Sequence, residues 1–438
     1  MRLPVIDDCV CQDYAFLVIF GCVFTLAFWF FAEFVSDSST STSVTLFKRG
    51  SQTWANITMT TSVDEEMTAT RAPLRNPNQS VKQPFIRKSM TGIFSWHHMQ
   101  YTVPIDKEQY RCLLDDVSGY VVPGKLTALM GESGAGKTTL LNVLAGRVGA
   151  GIVSGDRLIN GQPLPVEFLA QVGYCQQLDI HVPTATVREA LLFSAMTRQP
   201  SSVPLSEKKA YVETCLGMCG LESYGDAIIG SLTLEHCKRT SIAVELAAKP
   251  KLLLFLDEPT SGLDSQSARA IVSCLKTLAE NGQAILCTIH QPSAELFQAF
   301  DRLLLLGKGG KTAYFGDIGH NSTTLIRYFE NNGSRACDSD ENPAEFMLDV
   351  IGAGATATSK NDWHTTWKRS PQAVETQQEI DKMYQRDLNQ PLTTTPQHSE
   401  FATAWRFQFF NLSMRNAQRH WRDPTYLLAK LGLCVVGG

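Results

Sequence analysis

The sequence predicts an α/β fold in which parallel strands form a buried sheet flanked by helices, and three observations carry that expectation. Leu126-Thr127-Ala128-Leu129-Met130 and Leu252-Leu253-Leu254-Phe255-Leu256 are short apolar runs of the kind expected for strands covered on both faces. Ile285-Leu286-Cys287-Thr288-Ile289 is a third. A helical pattern, Thr139-Leu140-Leu141-Asn142-Val143-Leu144-Ala145, follows the first run after a glycine-rich turn, so strand, loop and helix come in succession.

Taken from the start of the 438 residues, Tyr14 to Ala32 is apolar and uncharged, about the length that crosses a bilayer as a helix. A secretory leader is the competing reading, but Arg2 is outweighed by Asp7, Asp8 and Asp13, and the run is longer than a usual leader core. Lys48, Arg49, Arg71, Arg75, Lys82, Arg87 and Lys88 follow it, so the positive-inside bias places the next domain in the cytoplasm. Residues 1–35 therefore read as the end of a membrane domain. Residues 36–90, rich in Ser and Thr with few large apolar side chains, read as a flexible linker. Period-two alternation from Phe94 to Val103 predicts the first strand of a domain over 91–355.

The central motif is Gly131-Glu132-Ser133-Gly134-Ala135-Gly136-Lys137-Thr138, which matches G-x-x-x-x-G-K-[ST] at every fixed position. Its glycines let backbone N–H groups close around phosphate oxygens, Lys137 adds a cation, and the helix N-terminus adds partial positive charge. Thr138 is placed to ligate Mg²⁺, with Thr139 beside it in the nucleotide-binding stretch. This is the phosphate-gripping turn of a P-loop NTPase. Downstream, Gln177 follows the short apolar segment Gly173-Tyr174-Cys175. Thr186-Val187-Arg188-Glu189 is a capping-box pattern ahead of Ala190-Leu191-Leu192-Phe193 and predicts the first helix of an inserted helical subdomain.

Asp257-Glu258 ends the second apolar run, at the carboxyl end of a strand where ligands gather in open α/β sheets. Asp257 can hold Mg²⁺ through water, and Glu258 can orient and polarise an attacking water. Phosphoryl transfer asks for little beyond such positioning and charge neutralisation. Ser261-Gly262-Leu263-Asp264 follows closely, and His290 ends the third run. Asp301-Arg302-Leu303-Leu304-Leu305-Leu306 and Thr312-Ala313-Tyr314-Phe315 are predicted to pair as a β-hairpin across Gly307 to Lys311.

In order and spacing, the P-loop, Gln177, Asp257-Glu258, the Ser-Gly-Leu-Asp turn and His290 resemble the nucleotide-binding domain of an ATP-binding cassette (ABC) transporter over about residues 91 to 355. Phe255 to Asp264 and Glu341-Asn342-Pro343-Ala344-Glu345-Phe346-Met347-Leu348-Asp349-Val350 look like the pleiotropic drug resistance type of the G subfamily. The resemblance implies a fungal-type multidrug exporter and its second cassette. It further implies ATP and Mg²⁺ as ligands, Gln177 and His290 at the catalytic centre, Gln177 also at the metal, and Asp264 at the nucleotide. Tyr101 is the choice for an aromatic stacked on adenine, set against a packing role in the core.

The signature loop of that family, usually Leu-Ser-Gly-Gly-Gln, is replaced here by Leu232-Thr233-Leu234-Glu235-His236, followed by Cys237-Lys238-Arg239. Glycines at that loop permit close backbone approach to a phosphate held by the opposite cassette. Leu234 brings bulk and Glu235 brings like charge, so this cassette is expected to be a poor signature donor. The implied partner is a cassette with an intact signature, supplied by the first half of a longer transporter.

Residues 356–402 are polar and poorly patterned and read as a linker. Beyond them, Trp405 to Arg422 interleaves aromatic residues with Arg415, Arg419 and Arg422, which suits a helix at the membrane interface or one packed on the cassette. Residues after Pro424 read as the entry into a membrane domain, so 403–438 is expected to couple the cassette to the bilayer. With 44% hydrophobic residues the chain can bury a full core, and a net charge of −4 gives no reason to expect nucleic acid. The 12 cysteines show no zinc spacing and read as reduced cytosolic thiols. The family resemblance implies export of small hydrophobic compounds through a membrane, the plasma membrane being the one expected. A regulatory cassette without turnover and a soluble cassette ATPase are the alternatives.

Overall fold

The computed structural model describes residues 92–104, 110–165, 168–250, 252–338, 340–352, 361–388 and 401–437. The expected membrane helix at Tyr14 to Ala32 and the linker over 36–90 lie outside the described residues.

Two sheets form the body. Strands β1 (Phe94–Pro104) and β2 (Tyr110–Val121) pair antiparallel, and β4 (Ile152–Ile159) and β5 (Gln162–Pro163) extend them in the order β2-β1-β4-β5. The second sheet contains β3 (Leu126–Gly131), β6 (Val172–Cys175), β7 (Leu253–Leu256), β8 (Ile285–Thr288), β9 (Arg302–Gly307) and β10 (Lys311–Asp317), in the order β10-β9-β3-β8-β7-β6. Its neighbours are parallel except for β9 and β10, which form the expected hairpin. Because β3, β7 and β8 run parallel and in register, with Leu129 opposite Thr288 and Leu256 opposite Cys287, their carboxyl ends open on one edge. That edge is where a chain of this topology presents ligand-binding loops.

Trp96, Phe94, Phe255 and Phe315 are essentially excluded from solvent and pack ring against ring between the sheets. Burying four such rings is a large share of the apolar area that drives this layer together. Gly119 of β2 leaves room for Trp96, since a Cβ there would lie 2.6 Å from the indole Cζ2.

Helix α1 (Lys137–Leu144) follows β3, and the short α2 (Phe168–Gln171) precedes β6. The helical subdomain is made of α3 (Val187–Arg198), α4 (Leu205–Met218) and α5 (Leu234–Ala247). Its entry has the predicted capping box: Thr186 Oγ1 accepts from the Glu189 N–H, and the Glu189 side chain accepts from the Thr186 N–H. Such caps satisfy backbone donors that the first turn cannot pair internally. Helix α6 (Ser265–Glu280) returns to the sheet, the short α7 (Ala294–Phe297) follows β8, and α8 (Thr323–Asn331) and α9 (Pro343–Val350) follow the hairpin.

The stretch over 356–402, read from sequence as a polar linker, is corrected in part. Residues 363–388 form α10 (Trp363–Arg369) and α11 (Pro371–Leu388). Trp363 and Trp367 are buried; the Trp363 indole N–H donates to Val350 O at 2.8 Å, and Trp367 lies edge-on to Tyr314 and Tyr328. Periodicity misses this because a few large rings supply much of the apolar contact and most other positions, Ile380 excepted, are polar.

Helices α12 (Trp405–Arg422) and α13 (Pro424–Gly437) end the described chain. One side of α12 packs on the helical subdomain: Arg422 holds both Glu189 carboxylate oxygens at 2.6 and 2.7 Å, and Arg415 stacks 4.3 Å from the centre of the Phe193 ring. Trp405, Phe409, Phe410 and Trp421 remain exposed. Among the described residues no helix is long and apolar enough to cross a membrane.

Candidate nucleotide site

The site is assembled at the carboxyl edge from the loops after β3, β6, β7 and β8. In the P-loop, Gly131 ends β3 where a Cβ would collide with the Leu306 carbonyl, and Gly136, at φ 96°, turns left-handed into α1. Both positions therefore demand glycine. Lys137 lies folded along the loop, its Nζ donating to Gly131 O at 2.9 Å and Glu132 O at 3.0 Å. Burial lowers its pKa, while Glu258, Asp257 and Glu132 oppose that shift. A buried ammonium that donates to two carbonyls is a strong anion donor once phosphate arrives.

Thr138 Oγ1 donates to Asp257 Oδ1 at 3.1 Å, so a hydroxyl and a carboxylate from two loops already meet. Hard oxygen donors of this kind are the ligands Mg²⁺ prefers, so the residues present fit that ion. Thr288, fully buried at the end of β8, is a member that sequence reasoning missed. Its hydroxyl donates to Asp257 Oδ1 at 2.7 Å and accepts the Glu258 N–H at 2.7 Å, which fixes the acidic pair as a unit. The available signal was a threonine inside an apolar strand, since a buried hydroxyl must find partners. Glu258 has φ 47°, an uncommon conformation for a non-glycine residue, held by that contact. Its Oε2 accepts from Gln177 Nε2 at 2.8 Å.

Thr288→Val is expected to lower stability by about 1–3 kcal/mol, because it strands the Glu258 N–H and removes a donor to Asp257. It should also cut steady-state ATP turnover at least tenfold at saturating ATP. Denaturant titration and an ATPase assay check both.

His290 is exposed and lines a cleft of about 710 Å³ with Ser133, Glu258, Ser261, Gly262 and Gln291. Asn342 caps α9 by accepting from the Ala344 N–H at 3.1 Å, and its amide donates to Pro292 O at 2.9 Å. The Asn-Pro-Ala-Glu segment thereby braces the loop that follows His290.

Two expectations are corrected, those for Tyr101 and Glu235, and Asp264 is placed beside the cleft. Tyr101 has only 7% of its surface exposed and its hydroxyl donates to Ala150 O, so its ring has no free face for adenine. Asp264 caps α6, accepting from the Gln266 and Ser267 N–H groups at 3.1 and 3.2 Å, while Leu263 and Ser265 line the cleft on either side of it. Glu235 is not a bare charge: Arg239 pairs with it at 2.5 Å and the Ser267 hydroxyl donates to it at 3.0 Å. The repulsion expected from Glu235 is therefore muted. Leu234 is 49% exposed at the first turn of α5. Thr233 caps that helix, accepting from the His236 N–H, and Leu232 packs against the core.

A parallel-sheet P-loop fold with an inserted helical subdomain, a complete phosphate and acidic side, and a loop after the glutamine strand defines the class: an ATP-binding cassette. A family profile described as "ABC transporter" matches residues 114–261, and one described as "ABC-2 type transporter" matches residues 290–391. The second match falls on the hairpin and on the helices packed against it. Relatives include the Brefeldin A resistance protein of Schizosaccharomyces pombe, 56% identical over 79% of this chain and 23% of its own length. The ABC multidrug transporter atrA of Aspergillus oryzae is 44% identical over 98% of this chain and 30% of its length. The Pleiotropic ABC efflux transporter of multiple drugs PDH1 of Candida glabrata is 51% identical over 78% and 23%. The chain belongs to the ABC transporter family, in its pleiotropic drug resistance branch, and carries an ATPase cassette of that family. It spans about a quarter of the length of the curated relatives it matches.

Proposed function

We propose that this cassette powers export of hydrophobic compounds, such as drugs, lipids or sterols, across the plasma membrane, with the cassette in the cytoplasm. It supplies the P-loop half of a composite hydrolytic site, and a partner cassette supplies the signature half. The observation that carries this reading is the unbroken hydrogen-bonded series Thr138, Asp257, Thr288, Glu258, Gln177, which ties the ends of β6, β7 and β8 to the mouth of the P-loop.

In this reading the amides of Gly131 to Thr139, with Glu132, Ser133, Gly134, Ala135 and Gly136 forming the turn, grip the phosphates of ATP, and Lys137 lies along the β and γ groups. Thr138, Asp257 and Gln177 hold Mg²⁺, which supplies charge neutralisation at the phosphates. Glu258 orients the attacking water and accepts its proton. His290, free at the cleft, meets the γ-phosphate. Closure around nucleotide then moves α12, which is seated on the helical subdomain, and so reaches the membrane part.

The test is hydrolysis in the transporter carrying this cassette, in membranes, with Leu234→Gly and Glu235→Gly introduced together. A second hydrolytic site should appear, raising turnover up to about twofold, if the loop alone blocks donation. Unchanged turnover would mean that other groups also disable the opposite site. ATP retained with no phosphate formed in a single-turnover assay would favour the regulatory cassette, and recovery of the protein in the non-membrane fraction would favour the soluble ATPase.

A further inference from the structure

The loop that reads as a spoiled donor opens a helix with a second connection. Lys238, one turn into α5, reaches back to the glutamine loop of its own chain: its Nζ donates to Gln177 O at 2.5 Å and pairs with Asp179 Oδ2 at 3.1 Å. The side chains are 7% and 9% exposed. One turn further along, the Ser241 hydroxyl donates to Asp179 Oδ1 at 2.5 Å and lies 2.7 Å from His181 Nε2. Outside this cluster the loop is open, with Gln176, Gln177 and Leu178 all exposed.

We infer that Lys238 is a positioning residue for hydrolysis in its own cassette: it fixes the backbone of Gln177 so that the Gln177 amide meets Glu258. This rests on the reading that Gln177 works at the hydrolytic centre. A buried ion pair is a poor source of stability, because desolvating both charges offsets their attraction. What it supplies is direction. A three-donor ammonium anchored on Asp179 holds one carbonyl of an otherwise exposed loop, and that carbonyl belongs to the residue whose side chain lies 2.8 Å from the Glu258 carboxylate. The helix is thus idle towards the opposite site and active towards its own. Small displacements of a positioned group cost turnover more than ground-state binding.

Lys238→Met alone leaves Asp179 buried without its ion-pair partner and destabilises the subdomain, so the informative variant is Asp179→Asn with Lys238→Met, which removes both charges. In the membrane-embedded transporter carrying this cassette, that double variant should recover the thermal midpoint lost by Lys238→Met. Its kcat for ATP should stay down about tenfold, with KM changed less than about twofold. Placed on a Gln177→Ala background, the same pair should cause no further loss, because both changes disable one group. Normal kcat in the double variant, or losses that multiply on the Gln177→Ala background, would overturn the role of Lys238 while leaving the hydrolytic reading in place. Full turnover in Gln177→Ala alone would remove the role of Gln177, and this inference with it.

Discussion

Glu258→Gln is expected to bind ATP and scarcely turn it over. Glu258 is held in three ways: its backbone N–H by Thr288, its Oε2 by Gln177, and its backbone in a left-handed turn at the end of β7. Glutamine is close in shape, so the grip on phosphate by the P-loop, which does not involve this side chain, should survive. What disappears is a carboxylate able to accept a proton from water. General base catalysis is worth about 10²–10⁴-fold, so steady-state phosphate release should fall by at least about a hundredfold while retention of labelled ATP persists. Filter binding and an ATPase assay on the same membranes separate the two effects. Normal turnover would mean that Glu258 is not the base.

Lys137→Ala should act on the other quantity. The ammonium is folded over the loop on the carbonyls of Gly131 and Glu132, close to the charges of Asp257 and Glu258. When it goes, two charge-assisted contacts to phosphate go too, each worth about 1.5–3 kcal/mol, and the nearby carboxylates repel the incoming nucleotide without a counter-charge. ATP affinity should drop by about 10²-fold or more, read as a shift of the half-saturation concentration in nucleotide-dependent thermal stabilisation. An unshifted half-saturation point would place the phosphates elsewhere. The two variants are therefore opposite in signature: one keeps ATP and loses hydrolysis, the other fails to keep it.

Much of this site was legible because its chemistry is local. Gly131, Gly136, Lys137 and Thr138 fall within eight consecutive residues, and a glycine turn between an apolar strand and a helix has few other uses. Asp257 and Glu258 end an apolar run, which itself says that they stand at the carboxyl edge of a buried sheet. The capping box at Thr186 and the hairpin over 302–317 were legible for the same reason, since each is set by neighbours within a few residues. Tyr101 shows the limit. Alternation along β1 identified the strand, but which face of that strand met the second sheet depended on packing against residues far away in sequence.

By itself, then, the order of residues determined the nucleotide-gripping turn, the acidic pair and the parallel core. Its tertiary arrangement alone decided that Thr288 clamps the acidic pair, that Ser267 reaches Glu235, that Trp363 and Trp367 bury a stretch that reads as polar, and that Lys238 reaches Gln177 sixty-one positions away. The physical reason is range. Turns, caps and strand patterns are fixed by steric and hydrogen-bonding rules between near neighbours, whereas pairing of buried polar groups is settled only when folding brings distant donors and acceptors to one place.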